Sequence, residues 1–396
     1  MEYNFDEIIE RKGTSCVKHD MMSRDFGTDN LLPMWVADMD FRTPPFIMNA
    51  IKERCNHEIL GYTYADKKYY EAVMWWLDRH YNIKAEKKEL HYIPGIVAGI
   101  AFAIQAFTNI GDKILVTTPV YPPFIDLPRN GDRKVVTCPL FIKNDKFNIN
   151  FETLNERIKG CKMMIISNPH NPAGTIWTAE EIEKIANICH KNNCIVISDE
   201  IHADLTLYGK RHTSFSTVSE ISKNISLTFL APSKTFNIPG LASSIAYIPN
   251  EQLRERYFKY IDGYEVANGN LFAYVGTTAA YSEEGEEWLE QLKRYLEGNV
   301  EYMKNFFNEN MPLVRYVAPE SSYLAWIHLK QYGIAHEDMF NRLINIGKLA
   351  LNDGTKFGLT PNGFKGFFRL NLGCPKAVLE DGLNRLYKTF GNGKES

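Results

Sequence analysis

No stretch of eighteen or more apolar residues occurs in the chain, so nothing in it reads as a membrane-spanning helix. The N-terminal MEYNFDEIIERKGTS is charged and lacks the apolar core of a secretory signal, which leads to the expectation of a cytoplasmic protein. Charge of one sign is also missing. A formal net charge of −3 over 396 residues sets up no field for nucleic acid or an anionic membrane, and neither is expected as a partner. Cysteine is sparse: Cys16, Cys55, Cys138, Cys161, Cys189, Cys194 and Cys374 are odd in number and form no Cys-x-x-Cys, which speaks against a disulfide framework or a zinc knuckle. They read as small buried hydrophobes. Internal repeats, low-complexity tracts and long Gly/Ser linkers are absent as well. A second domain must therefore be made from the termini packing beside a central unit.

What the chain does contain is 44% apolar residues in a length too great for one ordinary core. Short β-branched or apolar runs stand out at KILVTTP (113–119), KMMIISNP (162–169), NCIVISDE (193–200), ISLTFLAPS (225–233) and SSIAYIP (243–249). Between the second and third lies TAEEIEKIANICHKN, with Ile182, Ile185, Ala186 and Cys189 at helical spacing and Thr178 and Glu181 placed as a capping box. Strand, helix, strand implies a parallel sheet with right-handed crossovers. The expected fold is α/β: a mostly parallel sheet of seven-stranded type between helices, residues 46–284, with a smaller α+β domain over 285–396. Residues 1–45 are expected to pack with that smaller domain. The amphipathic segment 283–310 leads into it, and SSYLAWIHL and KGFFRLNLG are its expected strands.

Ligands of open parallel sheets bind outside the carboxyl ends of the strands, and there the polar tails of these runs are unusual. They end in Tyr121, in NPHNPAG (168–174), in Asp199 with Glu200, and in Ser233 with Lys234. Each has an ordinary reading. Lys234 could be a loop lysine, Tyr121 a core aromatic, Asp199 an N-cap for EIHADL, and NPHNPAG plain turn chemistry. The segment HYIPGIVAGIAFAIQAF (91–107) could open a buried helix at Pro94-Gly95 or offer free N–H groups and a helix dipole to a phosphate. A metal set of Asp199, His202 and Asp204 lacks the usual ligand spacing. Taken together, a phosphate-binding helix start, an aromatic ring, an amide, a carboxylate and a lysine with a flanking hydroxyl match one cofactor, pyridoxal 5′-phosphate.

The chain resembles the fold-type I pyridoxal-phosphate enzymes, and within them the PatB/MalY-like carbon–sulfur lyases, the cystathionine β-lyases. The resemblance covers nearly the whole length. It rests on YNFDEIIERKGTSCVKHD near the N-terminus, LPMWVADMDF (32–41), GYTY (61–64), TPVYPPF, SNPHNPAG, SDEIHADL, APSKTFNIPGL and FFRLNLGCP (367–375). It implies Lys234 as the Schiff-base lysine, Asp199 as partner of the pyridine nitrogen, and Asn171 on the ring's phenolic oxygen, with His202 where many relatives place a tyrosine. It further implies Tyr121 stacked on the ring, Ser233 and the N–H groups of Ile96 and Val97 on the phosphate, and Arg369 on the substrate carboxylate. Tyr62 would reach the phosphate of a neighbouring subunit, which implies a homodimer with shared sites. Two departures stand out: Ala242 replaces the arginine that broader aminotransferase relatives carry eight residues after the lysine, and Cys16 and His19 replace an expected serine and tryptophan. The implied activity is α,β-elimination of cystathionine or a cysteine-type sulfur amino acid to a thiol, pyruvate and ammonia. A class I/II aminotransferase and a regulatory binding protein on the same fold are the alternatives.

Overall fold

The β-branched runs of the middle of the chain form strands in the computed structural model, which describes residues 1–266, 268–359 and 363–391. In chain order these are β1 (Leu90–Ile93), β2 (Lys113–Thr118), β3 (Lys134–Lys143), β4 (Lys146–Ile149), β5 (Cys161–Ser167), β6 (Ile195–Asp199), β7 (Ser226–Leu230) and β8 (Ser244–Tyr247). Side by side they run β1-β8-β7-β6-β5-β2-β3-β4. The middle strands β7, β6, β5, β2 and β3 are mutually parallel, while β8, β1 and β4 pair antiparallel at the two edges. The sheet thus has eight strands where a seven-stranded type was expected. The addition is β4, a hairpin return on β3 through Asn144 and Asp145, both at φ 53°, as tight hairpin turns require of their central residues.

Helices cover both faces, and this is why β5 and β6 read as unbroken apolar runs rather than alternating ones. On one face the helix Ala179–Lys191 buries Ile182, Ile185, Ala186 and Cys189 against Met164, Ile166 and Val196. Its capping box is present: Thr178 Oγ1 accepts from the Glu181 N–H at 3.2 Å and Glu181 Oε2 from the Thr178 N–H at 2.8 Å. On the other face the helix Ile96–Phe107 packs Ile100, Ala103 and Ile104 against Ile165, Ile197 and Phe229.

The helix Glu283–Asn310, capped by Ser282, carries a buried stripe of Trp288, Leu292, Leu296, Val300, Met303 and Phe307. Beyond it lies an antiparallel sheet in the order Arg315–Val317, Leu324–His328, Phe367–Asn371, Asn352–Asp353. The N-terminal region joins this part of the molecule through Leu32–Pro33, which pairs in parallel with Leu349–Ala350. Five cysteines are buried as expected, but Cys55 is exposed and Cys16 half-buried. Among the described residues no helix is long and apolar enough to cross a membrane.

Candidate active site

The carboxyl ends of β5, β6 and β7 open onto a cavity of about 590 Å³, closed on one side by the first turn of the helix Ile96–Phe107. The strand β6 delivers Asp199 to it as its last residue, with Oδ1 accepting the Ile201 N–H at 3.0 Å. The next side chain, Glu200, points away into the protein. There Glu200 accepts hydrogen bonds from Ser198 Oγ and the Phe215 N–H, both at 2.8 Å, and lies 2.8 Å from His212. Of two consecutive carboxylates, the strand pleat leaves only one facing the cavity.

Asn171 is aimed by its turn. Ser167 Oγ accepts the Asn171 N–H at 3.2 Å and donates to the Pro169 carbonyl at 2.9 Å, and His170 Nε2 lies 2.9 Å from the Pro119 carbonyl. Gly174 closes the turn at φ 64°, so near the Ser321 backbone that a Cβ would lie 1.9 Å from its carbonyl oxygen. Asn171 Oδ1 accepts from Arg369 Nη1 at 3.0 Å. The buried Arg369 also donates from Nη2 to the Asn352 side chain (2.7 Å) and to the Trp35 carbonyl (3.1 Å), and lies over the Phe357 ring. Lys234 follows Ser233 in the turn after β7, and its Nζ donates to the Ala37 carbonyl at 2.5 Å. The helix begins at Ile96 after Gly95, whose φ of 112° suits no L residue; no side chain caps this start. The first N–H groups of a helix have no partner inside it.

Burial dominates the electrostatics. It pushes the Asp199 carboxyl up to about 7, against the pull of the Ile201 N–H and of Lys234. It takes Lys234 down to about 8, helped by the Arg369 guanidinium, and Arg369 itself down to about 10. It holds His202 neutral at about 3, with Lys234 and Arg369 acting in the same direction, and raises Tyr121 above an ordinary phenol. Two polar atoms in this space, His202 Nδ1 and Arg369 Nε, have no hydrogen-bond partner. Buried groups left in that state are costly unless something else completes them.

Ile96, Val97, Tyr121, Asn171, Asp199, His202, Ser233, Lys234 and Arg369, all singled out in the sequence, line this one cavity. Tyr62 does not: it is fully exposed, on a segment whose Ile59, Leu60 and Tyr64 are exposed too. The sequence reading missed Asn352, which orients Arg369, and the serines Ser243 and Ser244, which line the cavity beside Ala242. Asn352 sits in a two-residue strand with no motif around it, and the serines were legible only as part of a strand. Cys16 lies apart, on a larger adjoining cavity of about 1070 Å³ that shares Val36, Ala37, Lys234 and Pro239 with the first. His19 stands 3.8 Å from Asp40, beside the charged group formed by Arg11, Lys18, Asp38 and Asp40.

Comparison with known proteins places this geometry. The chain is 40% identical over 385 residues to cystathionine β-lyase PatB of Bacillus subtilis, covering 97% of this chain and 98% of that one. Cystalysin from Treponema denticola, solved with a pyridoxal 5′-phosphate cofactor, superposes with a TM-score of 0.94 at 32% identity and full coverage of both chains. The PLP-bound C–S lyase of Staphylococcus hominis superposes with a TM-score of 0.91 at 32% identity over 98% of each chain. The family model for aminotransferase class I and II matches residues 30–386, and the chain belongs to that family.

Proposed function

We propose that the protein is a pyridoxal-phosphate-dependent carbon–sulfur lyase acting by α,β-elimination on cystathionine or a cysteine-type sulfur amino acid. The observation that carries this is one half-buried lysine, one buried carboxylate and one buried guanidinium sharing a cavity, in a chain 40% identical to a cystathionine β-lyase. The residues present fit the cofactor. Asp199 is a carboxyl raised to about 7 by burial, and a protonated ring nitrogen beside it would favour its charged form. His202 Nδ1 is an orphaned polar atom in the same space, and the helix start at Ile96 offers N–H groups for a phosphate. Lys234 would hold the aldehyde, Asp199 the ring nitrogen, Asn171 and His202 the phenolic side, Tyr121 the ring face, and Ser233, Ile96 and Val97 the phosphate. When bound, the group supplies an electron sink for the substrate's Cα.

The chain's own residues do the rest. Arg369, with Nη1 and Nη2 already oriented by Asn171 and Asn352, presents a planar fork to the substrate carboxylate. Lys234, lowered to about 8, is about one-tenth neutral at pH 7, far more than an ordinary lysine, and its Nζ takes the Cα proton. The Asp199 carboxylate would hold the ring nitrogen in its protonated form. Loss of the Cβ–S bond releases a thiol, and hydrolysis of the remaining enamine gives pyruvate and ammonia.

The test is to supply the purified protein with L-cystathionine and no keto acid, and to assay pyruvate and free thiol. Stoichiometric release of both is expected. Turnover only on addition of a keto acid would make the protein an aminotransferase instead.

The exposed segment with Tyr62 supports a homodimer in which that tyrosine reaches the partner's phosphate site. Pairing of Leu32–Pro33 with Leu349–Ala350 supports a division into residues 1–45 and 285–396 around a central 46–284.

A further inference from the structure

Asp204 lies behind the active-site cavity, in the short helix Ala203–Leu205 that follows His202, and it is buried. Three uncharged donors converge on its carboxylate. Trp76 Nε1 at 2.9 Å and the Tyr81 hydroxyl reach Oδ1, and the Thr235 hydroxyl reaches Oδ2 at 2.6 Å. Trp76 is itself fixed between His80 and Tyr281, stacked on both with ring centroids 3.9 and 4.8 Å away. A buried carboxylate is costly to keep, and hydrogen bonds to a charged acceptor are the stronger kind. One of the three comes from Thr235, the fully buried residue next to Lys234.

The lysine turn is also tied to itself, by the Phe236 N–H to the Pro232 carbonyl (2.9 Å) and the Ile238 N–H to the Ser233 carbonyl (3.0 Å), and to the N-terminal segment, through Lys234 Nζ on the Ala37 carbonyl and Asn237 on the backbone of Met39 and Phe41. The bond from Thr235 is different because it crosses to the segment that follows β6, which starts just after Asp199 and carries His202. We propose that Asp204 is a positioning residue: through Thr235 it fixes where the Lys234 side chain leaves the backbone, and so the place of Nζ relative to Asp199 and Arg369. The sequence offered Asp204 only as a poor metal ligand; its place in the fold gives it this other task. The proposal rests on Lys234 being the cofactor-holding lysine, and the experiment separates the two.

Full-length protein would be prepared as wild type, Thr235→Val, which keeps the branched shape and loses the hydroxyl, and Thr235→Ser, which keeps the hydroxyl. Borohydride reduction and peptide mapping locate the bound cofactor. Titration of the stripped protein with pyridoxal phosphate gives its affinity, and the pH midpoint of the visible absorbance reports the environment of Nζ. The cofactor is expected on Lys234 in all three proteins. Affinity should fall roughly tenfold in Thr235→Val, with a midpoint displaced by about half a pH unit or more, and both should return in Thr235→Ser. Wild-type affinity and midpoint in Thr235→Val, even with a lowered melting temperature, would overturn the proposal and leave Asp204 a structural anion. A label on another lysine in wild type would instead overturn the reading of Lys234. Should Thr235→Val not fold, Tyr81→Phe removes a donor from the other oxygen and should move both readouts the same way; unchanged values there would also refute the role.

Discussion

At Asp199 a single proton decides the chemistry. Burial holds its carboxyl near 7 until a cation sits beside it, so Asp199→Asn should fold normally yet bind a cofactor whose ring nitrogen has no anionic partner. Turnover is expected to fall at least about a thousandfold, measured as pyruvate release; a loss under tenfold would remove Asp199 from the mechanism. Arg369→Lys tests a different property. A lysine keeps the charge but not the planar fork between Asn171 and Asn352, so KM for the amino acid should rise about tenfold or more while kcat changes less. A lowered kcat with unchanged KM would assign Arg369 elsewhere. Asp199 was legible in the sequence because it ends an apolar run with a side chain that a buried strand has no reason to carry, and Arg369 through the family motif FFRLNLGCP. Asn352 and Thr235 carry no such mark. Their importance comes from one hydrogen bond each to a residue far along the chain, and sequence spacing does not encode that.

The strands and helices that place the site were legible for a related reason. Strands β5 and β6 are covered on both faces and show as unbroken apolar runs, and the capping box at Thr178 marks its helix start. The pairs at Leu32–Pro33 and Asn352–Asp353 went unread because two residues are too few for a period to show, and β1, β3 and β4 because polar residues interrupt their apolar runs. Two glycines separate folding from function at this scale. Gly174→Ala places a methyl 1.9 Å from the Ser321 carbonyl at positive φ, inside the turn that aims Asn171. It should cost more than about 3 kcal/mol and yield little soluble protein. Gly95→Ala meets no atom within 4 Å, so only its φ of 112° is strained. That variant is expected to fold with a modestly lowered melting temperature and to release cofactor faster on dialysis, since the strain falls on the N–H groups at the helix start. Equal stability of the two variants would show that the overlap at Gly174 relaxes.

Across the whole molecule the buried titrating groups set an acid limit. His170, His202 and His328 are held by burial at about 4, 3 and 4 against an ordinary 6.5, so they are neutral when folded and charged when unfolded between those values. The unfolded chain then binds more protons, and stability falls as pH drops from 6.5 toward 4. Asp199, raised from 3.8 to about 7, works the other way over much the same range. Three histidines against one carboxyl leave a net loss of stability toward acid for the cofactor-free protein. Its melting temperature should therefore decline steadily over that interval, and more steeply in Asp199→Asn; a flat profile would contradict the burial of the histidines. The remaining question at this scale is why Ile59, Leu60, Tyr62 and Tyr64 face solvent together, since a run of large side chains exposed side by side marks a surface that something covers. A second copy accounts for it if Tyr62 completes the partner's site, and this makes a prediction that one chain alone does not satisfy. Lys234→Ala and Tyr62→Ala should each be impaired as pure proteins. Unfolded and refolded together, they form mixed dimers in which one site has its own Lys234 and the partner's intact Tyr62. Activity should return to roughly a quarter of wild type for random pairing. Failure of the mixture to exceed its two components would place Tyr62 outside the site.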